Sequence, residues 1–196
     1  MKTFYQLLVS ALVVSTTNNF VWFAIVFWAY LGTRSVISTA FVGGIYLVAT
    51  ALSGFWFGSL VDHHKKKLVM LGSNIATLIL FTLGFLIYTI TPQEAFTSVT
   101  SPILWAFIFL LMCGVVAGNI FGVAIPTLIT VLVPENKRDK ANGLFGTIMG
   151  ISFAITSFAS GIVLAYGGMF WVLIIAIMLT LLATIYLGFV SVPEKK

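Results

Sequence analysis

An all-α integral membrane protein with six transmembrane helices is the fold class this sequence predicts, and three observations carry it. Hydrophobic residues make up 60% of the 196 and charged residues only 8%, against about 25% charged in a soluble domain, and the mean hydropathy is +1.13. The apolar residues gather into six long stretches without one Asp, Glu, Lys, Arg or His. Nearly every basic residue falls in alternate gaps between those stretches.

Each stretch is measured against the roughly 20 apolar residues needed to cross a hydrocarbon core of about 30 Å. The first span, 5–31, is long enough even though Thr16, Thr17, Asn18 and Asn19 interrupt it. Reading its start as a cleaved leader would strand 20–31, which is too short to cross alone. Span two, 36–61, follows a four-residue gap, and span three, 68–90, follows the lysine run 65–67. The gap 91–102 carries Pro92 and Pro102, which restrict the backbone and predict an irregular connection. Span four, 103–125, precedes the longest polar segment, 134–142. Spans five and six, 144–166 and 169–190, are separated only by Gly167 and Gly168, and 191–196 begins a tail or central loop. The whole chain reads as one bundle.

Nine basic residues (Lys2, Lys65, Lys66, Lys67, Lys137, Arg138, Lys140, Lys195 and Lys196) belong to one side of that bundle, and Arg34 alone to the other. The positive-inside rule therefore predicts cytoplasmic termini, with the 91–101 gap outside. The formal charge of +5 follows from this topology and predicts contact with anionic lipid rather than nucleic acid. A single Cys113 excludes an internal disulfide. His63 and His64 are adjacent loop residues rather than a helical metal pair, no phosphate-binding loop is present, and no span holds a catalytic acid or base. Neither an enzyme nor a cofactor or metal is expected.

Glycines recur at four-residue intervals: Gly54 and Gly58; Gly114, Gly118 and Gly122; Gly146 and Gly150. Four residues is about one turn, so each set forms a groove for helix packing, within the chain or against a partner. Buried amides need a partner or a water-filled cavity. Thr16 and Asn19, three apart, are expected to face one cavity, and Trp22 and Trp28 to stack on a substrate, face lipid or anchor the interface.

Between spans two and three the chain reads Gly58-Ser59-Leu60-Val61-Asp62-His63-His64-Lys65-Lys66-Lys67. This resembles the loop motif of the major facilitator superfamily, G-x-L-a-D-R-x-G-R-K, at Gly58, Leu60, Asp62, Lys66 and Lys67, and departs from it at His63 and Lys65. The run Val133-Pro134-Glu135-Asn136-Lys137-Arg138-Asp139-Lys140-Ala141-Asn142-Gly143 is similar to one in bacterial drug-efflux members, including the macrolide-exporter-like branch.

The resemblance implies the N-terminal six-helix half of such a transporter, built of 3+3 inverted repeats. It further implies secondary-active efflux of a small molecule by alternating access, a bacterial cytoplasmic membrane, and a second six-helix half. That half would be a separate chain, a C-terminal continuation or a second copy. Gly58, Asp62, Lys66 and Lys67 become the conformational-gating loop. Asn18, Asn19, Asn119 and Trp22 become the substrate-binding residues, and Gly146 and Gly150 face the other half. The helix-four arginine of many proton-driven members is absent. A remnant inactive alone and a non-transporting membrane assembly protein remain open readings.

Overall fold

The computed structural model describes residues 2–192; the expected cytoplasmic lysines Lys195 and Lys196 lie outside them. The architecture is all-helical. Helix α1, Lys2–Thr33, is followed by α2, Val36–His63, and α3, Lys66–Ile90. A short 3-10 turn, Gln93–Phe96, leads to α4, Pro102–Gly118, and α5, Ile120–Leu132. A second short turn, Glu135–Lys137, enters α6, Arg138–Phe189.

Local chemistry places these boundaries. Arg34 adopts a positive φ of 53° between α1 and α2, a conformation that breaks right-handed helix. Ser35 then caps α2, its hydroxyl accepting the Ser38 amide at 3.2 Å. At the far end of α2 the ring nitrogens Nδ1 of His63 and His64 lie 2.8 and 3.2 Å from the Ser59 and Leu60 carbonyls, and the His64 backbone amide closes the last turn on the same Leu60 carbonyl. Pro102 opens α4, where its missing N–H costs nothing. Arg138 turns back from the start of α6 to donate to the Thr130 and Val133 carbonyls at 2.8 and 3.2 Å, closing the end of α5.

Among the described residues five helical segments, not six, are long and apolar enough to cross a bilayer: Lys2–Thr33, Val36–His63, Lys66–Ile90, Pro102–Leu132 and Glu135–Phe189. The predicted spans five and six run together because helical bonding resumes at once after Gly168, leaving no loop between them. Gly168 itself is non-helical, with φ 67° and ψ −177°. A straight helix of 52 residues would measure about 78 Å. Instead Ala141, near the start of α6, and Leu187 and Val190, at its end, join one buried cluster. Leu164, Met169 and Val172, flanking the break, join the other.

The predicted fourth span is divided as well. Asn119 separates α4 from α5, its amide bonding back to the Val116 carbonyl three residues earlier rather than four. Seven residues later Pro126 lies inside α5, where it has no N–H to offer the Gly122 carbonyl.

The two apolar clusters occupy opposite ends of the bundle. One gathers Phe4, Val61, Val69, Ile129 and Leu187, beside the lysine-bearing connections. The other gathers Ala29, Val42, Phe96, Leu104 and Met169, beside Arg34 and Glu94. Helix α1 is the axis, packed most extensively against α6. Helix α2 is the least covered: 11% of its most apolar stretch is buried, against 50% for α1.

Candidate functional site

Between the two clusters, where α1 crosses the break at Asn119, the bundle holds a cavity of about 270 Å³. From α1 it takes Ser15, Asn18 and Asn19, which with Ala11 share one helical face. From α2 come Tyr46 and Thr50, one turn apart, and from the break Gly118, Asn119 and Gly122. Phe121 on α5 with Phe145 and Met149 on α6 add apolar wall.

Asn18, Asn19 and Asn119, predicted from three scattered sequence positions, thus meet at one cavity. Asn119 donates through Nδ2 to the Tyr46 hydroxyl at 3.2 Å and the Thr50 hydroxyl at 3.5 Å. Asn19 donates to the Ser15 hydroxyl at 3.4 Å. Asn18 is 5% exposed, and its amide lies against Gly118 so closely that any Cβ there would collide with it. A side chain at 118 would displace the Asn18 amide.

Other expectations are corrected. Trp22 does not line the cavity; it stands behind Tyr46, the rings stacked at 4.0 Å and 23°, so any effect on a bound molecule passes through Tyr46. Thr16 does not share the cavity with Asn19, because its hydroxyl is 2.9 Å from that of Ser152 on α6. Trp28 is half-buried and does not line the cavity. It packs edge-on against Phe96 and Phe107, with centroids 5.4 and 5.1 Å away, inside an aromatic cluster that also holds Tyr88. Tyr46 and Thr50 went unrecognised in the sequence, although they are polar groups spaced one turn apart within span two.

The glycine grooves divide. A Cβ at Gly114 would come within 2.6 Å of the Phe81 ring, and Gly118 is pressed on Asn18, whereas Gly58, Gly122, Gly146 and Gly150 have nothing within 4 Å. The first two are spent on packing inside the chain; the others open outward or into the cavity. In the 58–67 segment Asp62 is exposed at the end of α2, and Lys67 Nζ donates to the Gly188 carbonyl at 2.9 Å, tying that loop to the end of α6.

No Asp, Glu, Lys, Arg or His is among the residues lining the cavity, so its polar groups are amides and hydroxyls. Larger concavities include one of about 740 Å³ on α2 and one of about 670 Å³ between α2 and α3. The larger is walled by aliphatic and aromatic groups such as Ile37, Phe41 and Leu52, the other by Phe57, Leu60 and Leu68 with His63, His64 and Lys65 among them. Volume favours them, but only the smaller cavity combines enclosure with convergent polar groups, the mark of a ligand site.

A family model described as Major Facilitator Superfamily matches residues 7–196. No curated protein and no solved structure matches the chain.

Proposed function

This chain belongs to the major facilitator superfamily, a family of membrane transporters of small molecules, and from that premise we infer that it is one six-pass half of a secondary-active exporter. The observation that carries the reading is the neutral polar cavity at Asn18, Asn19 and Asn119, set between two apolar clusters in an otherwise apolar bundle. Polar groups at such depth mark substrate pathways.

Six passes are supported by Gly168: the two arms of α6 meet at a non-helical residue and return to the same ends of the bundle. A second six-helix half is supported by the uncovered length of α2, with Phe55 and Trp56 at 84% and 78% exposure, and by the open Gly146 and Gly150 on α6. Rocking of the two halves would alternately open the cavity to either side. Gly58, Asp62, Lys66 and Lys67 lie where α2 meets α3, at the end of the bundle that the lysines make cytoplasmic. The direction, efflux from a bacterial cytoplasm, rests on the likeness of the 133–143 segment to drug exporters.

Energy coupling by protons requires an ionisable group that changes charge within the membrane, and none of the spans contains one. If transport is proton-coupled, the titrating group therefore lies in the other half, or Asp62 acts from the loop. The test is export of a neutral amphiphile. Energised cells preloaded with Nile red should lose dye faster when the chain is expressed with a second half, and Asn19→Ala should raise the concentration for half-maximal export. Equal loss with and without the chain, in every pairing, would defeat the exporter reading.

A further inference from the structure

We propose, building on the substrate-site reading above, that the cavity seats an uncharged group able both to donate and to accept a hydrogen bond, a carboxamide or a hydroxyl, on the Asn18 amide, and discriminates against carboxylates and ammonium groups. Asn18 carries the argument. It is 95% buried, yet none of the hydrogen bonds among the described residues reaches its side chain. Its polar atoms are not among those sealed from the cavity, so the hydrogen bonds it does not make within the protein, each worth about 0.5–1.5 kcal/mol, are open to a ligand.

Position separates Asn18 from the other unpartnered polar groups. Ser10 Oγ, Ser38 Oγ and Asn74 Nδ2 are sealed away, where no ligand reaches. Asn18 instead lines the cavity. Gly118 fixes it there, since its missing side chain is the space the amide occupies. A donor and an acceptor therefore stand side by side in one plane.

The rest of the wall sets the class. Asn119 has committed its Nδ2 to Tyr46 and Thr50, and its Oδ1 remains an acceptor. Pro126 cannot supply the helical N–H to the carbonyl of Gly122, a residue that borders the same cavity. Every polar group here is neutral, so a buried carboxylate or ammonium would find no countercharge, and an unpaired buried ion is strongly disfavoured. Phe121, Phe145 and Met149 suit a ring or alkyl body carrying the polar group.

All the lining residues belong to this chain, so the purified full chain in lipid nanodiscs is a sufficient sample. Ligand-observed fluorine NMR would compare 4-fluorobenzamide, 4-fluorobenzoate and 4-fluorobenzylammonium at neutral pH, with empty nanodiscs subtracted. We expect the amide to bind at least about tenfold more tightly than either ion. Asn18→Leu should weaken binding of 4-fluorobenzamide itself by about tenfold, and Gly118→Ala, which displaces the Asn18 amide, should weaken it as well. Binding of either ion as tight as the amide would overturn the proposal while leaving the cavity standing as a site. Undiminished binding of 4-fluorobenzamide by folded Asn18→Leu would overturn it too. Absence of binding by all three probes would overturn the substrate-site reading and this inference with it. The unsubstituted protein decides the charge question by itself, whether or not either variant folds.

Discussion

Gly114 and Gly146 each have another glycine one turn away, yet a methyl group would meet opposite surroundings at the two. At Gly114 it would strike the Phe81 ring at 2.6 and 2.9 Å, and overpacking of this kind costs about 1–3 kcal/mol. Gly114→Ala should therefore lower the thermal midpoint of the detergent-solubilised chain. At Gly146 and Gly150 the methyl meets nothing, and replacing glycine inside a helix is worth about 0.5–1 kcal/mol of added stability. Gly146→Ala should leave that midpoint unchanged or raised while reducing co-purification with a second half. A fall in both measurements would show that Gly146 packs within its own bundle. Asp62 is exposed and contributes to no packing, so Asp62→Asn should preserve stability and slow Nile red export. An unchanged export rate would remove Asp62 from the gating loop.

The break at Gly168 governs how α6 is used. A φ of 67° with ψ near 180° belongs to a region open essentially to glycine alone, and forcing a Cβ into it costs about 1–3 kcal/mol. Gly168→Ala should destabilise the bundle by that amount in a denaturation titration, whereas Gly143→Ala, with a helical φ and free space, should not. Equal effects would mean that the chain does not turn at Gly168. The break between α4 and α5 has a different origin: Asn119 tightens one turn and Pro126 withholds an amide from the next. This second break, at Asn119 and Gly122, borders the cavity, where non-helical backbone is tolerated because protein rather than lipid surrounds it.

Across the bundle, the lysine-bearing connections and the start of α1 lie at one end, and Arg34 with the 91–101 connection lies at the other. Single cysteines at Lys66 and Glu94, in a Cys113→Ala background, should accordingly label from opposite faces of the membrane, Lys66→Cys only from the cytoplasm. Labelling of both from outside would reverse the topology and with it the direction of export. The uncovered α2 face also predicts that the solubilised chain associates, with a partner half or with itself. A strictly monomeric species that exports dye alone would contradict the two-half mechanism.

Hydropathy is a local, additive property, and so the helices, the alternate basic gaps and most boundaries could be read from the residues in order. The amides could be named for the same reason, as polar groups within apolar runs. Which way they point could not be read. Helices such as α1 and α2 are apolar on every side, so no period in the sequence distinguishes the face toward the core from the face toward lipid. Packing alone placed Asn18 on Gly118, turned Thr16 aside to Ser152, brought Tyr46 and Thr50 to Asn119, and set Trp22 behind Tyr46. It also separated glycines alike in spacing into those filled by their own chain and those left open, because the space beside a missing Cβ is decided by the neighbouring helix.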